Sequence, residues 1–244
     1  MGFRKVFSGL KIAAFAIILV GCQTSGPVGI SAAPNTNLVI GNEYTGAVKF
    51  GNVQIQLTEG NWTLVSFLTS KNNSNMVIYW STFGKIKNGI ISDLIWAKTN
   101  EEPSAYGWLD GGLCSRSDIH FLEVISYGQQ KCYGVNHNTF SKTLKGNWEK
   151  MRADVEAWSE KNNAKMIHYA IGASYSLEGG GNFLQLTYAK NPVADNFPDV
   201  MSDWKGHPWN RSNIGSDGGK KAYVNKTIQW AKLWYPKVNS AFGG

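Results

Sequence analysis

The chain reads as an α+β protein, with an antiparallel β-rich N-terminal portion and two helices in the C-terminal half. Three observations predict this. Val53, Ile55 and Leu57 alternate with Gln54 and Gln56, the period-two pattern of a strand with one buried face. Asn88-Gly89 lies between two apolar runs, and both central residues of a type I′ hairpin turn need positive φ. Past Gly146 the period changes. Trp148, Met151, Val155 and Trp158 follow at spacings of three, four and three, which places them on one helix face.

The elements follow in order. After the strand at 53–57, Glu59-Gly60 offers a turn. Residues 62–69 are rich in aromatic and β-branched side chains and read as a second strand. A polar loop at 71–75 precedes the hairpin formed by 76–87 and 90–97. Two more strands are expected at 118–126 and 131–136. The helix at 148–161 has Asn147 as its expected N-cap. Strands at 166–175 and 182–190 are joined through Gly179-Gly180-Gly181. A long loop at 191–219 has room for one helical turn, at 198–205. A second helix at 220–235 shows a wide apolar face that includes Trp230 and Trp234, and Pro236 is expected to kink or end it. There is no internal repeat and no clear linker, so 38–244 is expected to be a single domain. A division near Gly146 is the alternative.

The first 22 residues carry the most specific signal. Arg4, Lys5 and Lys11 make a basic start, and 12–20 is an apolar run. A membrane-spanning helix needs roughly 20 apolar residues, so this run fits the core of an export signal better. Leu19-Val20-Gly21-Cys22 follows, and the whole resembles the lipobox signal peptide of bacterial lipoproteins. The resemblance implies cleavage of 1–21, lipid and palmitate-type acyl chains on Cys22, and stable membrane anchoring by more than one chain. Gln23 follows the cysteine where an Asp would signal inner-membrane retention. By that resemblance the protein belongs to the outer membrane facing the periplasm, with a Gram-positive cell surface as the other setting. Residues 22–37 are small, polar and Gly/Pro-bearing and read as a flexible tether. The mature domain itself matches no characterised family by inspection.

Removing the signal changes the charge argument. Residues 1–21 carry three basic residues and no acidic one, so the net charge falls from +7 to +4. That excess is too small and too scattered to point to nucleic acid. The expected partners are the membrane, through the lipid on Cys22, and an envelope glycan or protein.

With Cys22 assigned, Cys114 and Cys132 remain. An exported chain favours a disulfide between them; free thiols or a Cys/His pair with His137 are the rivals. Asp118 and His120 are two apart on an expected strand and would share a face, half of a catalytic dyad or of a metal site. Asp195, Asp199, Asp203 and His207 recur every four residues, but Pro198 and Gly206 break any continuous helix, so capping and loop roles are preferred to a metal site. No cofactor fingerprint occurs: P-loop, dinucleotide and zinc-protease motifs are all missing from the sequence. Ten tryptophans are the most unusual content. Trp204 and Trp209, in a Pro/Gly-bearing stretch, are the candidates for ligand contact, while Trp62, Trp80, Trp96, Trp230 and Trp234 are expected in the core. The four N-x-S/T sequons are three-residue matches and carry no weight beside the bacterial source that the lipobox resemblance implies. The expected role is binding or structural, with a periplasmic hydrolase built on Asp118 and His120 as the alternative.

Overall fold

The computed structural model describes residues 37–108, 112–126, 130–140 and 144–243. The expected leader, the lipobox-like stretch with Cys22, and all of the expected tether but Asn37 lie outside the described residues. The strands are β1 (Glu43–Tyr44), β2 (Ala47–Phe50), β3 (Val53–Gln56), β4 (Trp62–Lys71), β5 (Val77–Lys87), β6 (Ile90–Asn100), β7 (Phe121–Ser126), β8 (Lys131–Thr139), β9 (Tyr169–Gly179) and β10 (Asn182–Lys190). The helices are α1 (Asn147–Lys161) and α2 (Gly218–Phe242). The architecture is α+β. An eight-stranded antiparallel sheet runs β1-β4-β5-β6-β10-β9-β8-β7, and β2 and β3 form a separate hairpin. β6 pairs with β10, so the sheet continues across the proposed boundary at Gly146.

The β5–β6 hairpin turns at Asn88 and Gly89, with φ of 53° and 70°, as the Asn-Gly pair requires. Alternation along each strand sends side chains to two faces. Leu64, Phe83, Ile95, Ile171, Leu186 and Tyr188 join the large core beneath α2 and the β2–β3 hairpin. Val65, Leu94, Ala170 and Ala189 point the other way, to a smaller core that includes Val155 of α1. α1 packs on β4 and β5, and α2 packs on β3, β8 and β9.

Several expectations shift. α2 passes through Pro236 and ends at Phe242. Val238, beyond the proline, is 1% exposed in the core, and burying that last stretch offsets the roughly 3 kcal/mol that an interior proline costs. The N-cap of α1 is Gly146 rather than Asn147, with no side-chain cap. The expected turn of helix at 198–205 does not form. A 3₁₀ turn at Pro192–Asp195 takes its place, capped by Asn191, whose side chain accepts from the Val193 N–H. β7 begins at Phe121 rather than 118, because Asp118 is held locally by Arg116 and His120 turns to the Trp209 carbonyl.

Candidate functional site

The cross-strand register of the sheet lays out a patterned floor on the α1 face. Trp80, Lys98, Gln185, Ser176 and Cys132 form one row across β5, β6, β10, β9 and β8. The next row is Thr82, Trp96, Thr187, Ser174 and Gly134. Neighbouring strands lie about 4.8 Å apart, so the stretch from β6 to β8 spans about 14 Å. Where α1 covers β4 and β5, this face mixes apolar side chains with the hydroxyls of Thr82 and of Ser66, which donates to Asp154 of α1. Across β6, β10, β9 and β8 it carries amides as well as hydroxyls.

Two lobes of about 250 and 230 Å³ open over this floor and share Trp96, Asn138, Trp148 and Thr187. One wall is Trp148, in the first turn of α1. It is 43% exposed. Its ring stands edge-on to Trp80 at 5.4 Å and to Trp96 at 6.5 Å. The opposite wall is Leu113 and Arg116, the first residue and the C-cap of a 3₁₀ turn (Leu113–Ser115) that packs on β7, β8 and β9. Cys114 in that turn and Cys132 in β8 lie at disulfide distance, with 2.11 Å between sulfurs, so the wall is tied to the sheet.

The polar groups here are only partly satisfied. Ser174 and Thr187 share a hydrogen bond of 2.8 Å between their hydroxyls. Asn136 is 6% exposed, and both amide atoms lack a partner. Asn138 Nδ2, on the same face of β8 and lining both lobes, also lacks one. So does Nε of Arg152, whose Nη1 pairs with Glu156 at 3.0 Å. An orphaned buried polar group costs about 1–3 kcal/mol; Asn138 and Arg152 line the lobes, and Asn136 lines neither. Lys98 Nζ lies 4.6 Å from the Trp80 ring centre and 5.5 Å from that of Phe183. Burial pushes its ammonium below the usual lysine range.

A second cleft, of about 400 Å³, lies on the α2 face. Trp62, Tyr188, Phe197, Tyr223 and Trp230 wall it, and Asp195 accepts the Tyr223 hydroxyl at 2.9 Å. Its aromatic walls belong largely to the main core.

The residues singled out in the sequence fall elsewhere. Asp118 is bound by Arg116 at 2.8 and 3.0 Å, and that guanidinium holds its carboxyl below the usual range. His120 contacts the Trp209 carbonyl at 2.8 Å. The two side chains therefore do not assemble as a pair. Trp209 is 1% exposed and packs in the core between Tyr169, Phe197 and Tyr223, so the loop does not present it. Trp204 is half-buried, stacked on His137 at 4.8 Å, with the Arg116 guanidinium 5.3 Å from the centre of its ring. Asp195, Asp199, Asp203 and His207 do not converge. Asp199 holds Lys165 and His168, Asp203 caps the Gly206 N–H, and His207 is buried. No group of three metal-ligating side chains occurs among the described residues.

The sequence reading places Trp80 and Trp96 in the core and Trp148 on the helix face shared with Met151 and Val155, and so it misses the groove. A signal was present. Asn136-x-Asn138, Ser174-x-Ser176, Gln185-x-Thr187 and Trp96-x-Lys98 put polar or amphipathic residues at alternate positions of four strands. A sheet covered on both faces would place apolar side chains there.

No known family profile and no curated sequence matches the chain. One solved structure that it is similar to is the effector-binding domain of the B. subtilis trehalose repressor. That domain is 10% identical, the match covers 60% of this chain and 99% of that one, and the TM-score is 0.28. At that TM-score the likeness carries no argument about the fold, ligand or role of this chain.

Proposed function

We propose that the chain is a lipid-anchored envelope lipoprotein whose domain faces the periplasm and binds a saccharide of the envelope in the groove beside Trp148. The observation that carries the reading is the pairing of exposed indole with an incompletely satisfied polar floor. A sugar ring offers an apolar C–H face to an aromatic side chain and hydroxyls to amides and hydroxyls. Trp148 and Trp96 supply the first, and Asn138, Gln185, Thr187 and Ser174 supply the second. Sites of this kind combine an aromatic lining with a few placed polar groups. The envelope setting rests on the resemblance of Leu19-Val20-Gly21-Cys22 to a lipobox.

The two halves of the reading are tested together in cells. Wild-type protein is expected in the membrane fraction, and Cys22→Ala is expected to become soluble. Purified full-length protein in detergent is expected to co-sediment with isolated cell-wall glycan. A Cys22→Ala protein that stays in the membrane overturns the anchor, and failure to co-sediment overturns the saccharide.

A further inference from the structure

Among the described residues, the groove holds one cation with no acidic partner. Arg116 is neutralised by Asp118, and Arg152 by Glu156. Lys98 makes no ion pair and no hydrogen bond among the described residues. Its cross-strand neighbours on this face are Trp80 and Gln185, neither of them acidic. The rings of Trp80 and Phe183 attract an ammonium through their quadrupoles but offer it no acceptor. An ammonium carries three N–H donors. Lys98 lines the same lobe as Gln185, Ser176 and Thr187. Surface lysines without partners are ordinary, because water satisfies them. A half-buried one flanked by indole and phenyl rings is poorly served by water, and it gains most from an anion brought by the ligand.

Resting on the saccharide reading, we infer that the ligand is an acidic saccharide, and that Lys98 receives a carboxylate carried by one of its sugar residues while Trp148 and Trp96 take the ring faces. Gln185, beside Lys98 in the same row, can donate its amide N–H to the second oxygen of that carboxylate. The depressed basicity of Lys98 in the free protein agrees with this, since a bound carboxylate would restore it. Arg116 and Arg152, already paired, would contribute hydrogen bonds more than net charge.

The test uses full-length protein in detergent and soluble glycan strands released from cell wall, in two forms: carboxylates free, and carboxylates converted to neutral amides. The rings and hydroxyls are unchanged between them. Wild type is expected to bind the free form at least tenfold tighter than the amidated form, with a preference that weakens as salt is raised. Lys98→Gln is expected to abolish the preference, and Lys98→Arg to restore part of it. Equal binding of both forms by wild type overturns the acidic assignment and leaves the saccharide reading standing. A preference that survives in Lys98→Gln overturns the role of Lys98. Binding of neither form overturns the saccharide reading as well. If Lys98→Gln does not fold, the comparison of the two ligand forms on wild type decides the acidic assignment alone.

Discussion

Trp148 meets Trp80 edge to face, with ring centres 5.4 Å apart and planes at 84°. The contact joins the first turn of α1 to the middle of β5, and Lys98 lies against the same Trp80 ring. One indole thus positions both a prospective stacking surface and a cation. Each such aromatic contact contributes about 0.5–1.5 kcal/mol beyond area burial. Trp148 is exposed enough that its loss should not break the core. Trp148→Ala is expected to lower the melting temperature by a few degrees and leave the far-ultraviolet circular dichroism unchanged. A collapse of the fold in this variant would show that Trp148 is a core residue after all.

Three histidines hold the long loop that follows β10. His120, His137 and His207 each set Nε2 against a backbone carbonyl, of Trp209, Trp204 and Val200. His137 and His207 stack at 5.6 Å. Burial lowers the pKa of all three, and that of His137 falls to about 4. In the unfolded chain a histidine titrates near 6.5. Between these values the unfolded chain takes up a proton that the folded one refuses, so stability is full above about pH 6.5 and drains away as the pH falls towards 4. His137 alone accounts for a loss on the order of 3 kcal/mol. Urea unfolding at pH 7 and pH 4.5 measures this, and equal stabilities would contradict the buried neutral assignment.

The Cys114–Cys132 link closes a segment of 18 residues. A loop of that size is stabilised by about 3 kcal/mol in the chain-entropy account. Reduction, or Cys114→Ser with Cys132→Ser, is expected to lower the urea midpoint accordingly. It should also weaken ligand binding, because Leu113 and Arg116 form the wall that the bond ties down. Unchanged binding in a destabilised variant would remove that wall from the site.

Trp209 separates core from site. Its side chain is 1% exposed and touches Tyr169, Phe197 and Tyr223 on the α2 face. Trp209→Ala is expected to cost about 3–5 kcal/mol of stability, as other large-to-small core changes do. Wherever the variant remains folded, its affinity for ligand should match wild type. Loss of affinity without loss of stability would place Trp209 in the site instead.

Much of the fold was legible in the sequence because period and turn chemistry are local. The hairpin at Asn88-Gly89 and the strand at 182–190 needed nothing from the rest of the chain. Helix ends were less legible. Pro236 forbids continuation locally, yet Val238 buries itself at a distance and the helix goes on. The groove was less legible still. Trp148 shares its helical stripe with Met151 and Val155, which are buried, and only the placement of α1 over β4 and β5 leaves the indole at the edge. Asp118 and His120 failed for the opposite reason: their spacing implies a shared face only if a strand is there, and the strand starts at Phe121.

The central claim is that the groove beside Trp148 binds a saccharide. Isothermal titration of soluble cell-wall glycan strands into full-length wild type and Trp148→Ala tests it most directly. Saturable binding by wild type, with Kd raised about tenfold or more in the variant (about 1.4 kcal/mol), is the predicted result. No binding by wild type, or equal affinity in the two proteins, would contradict it.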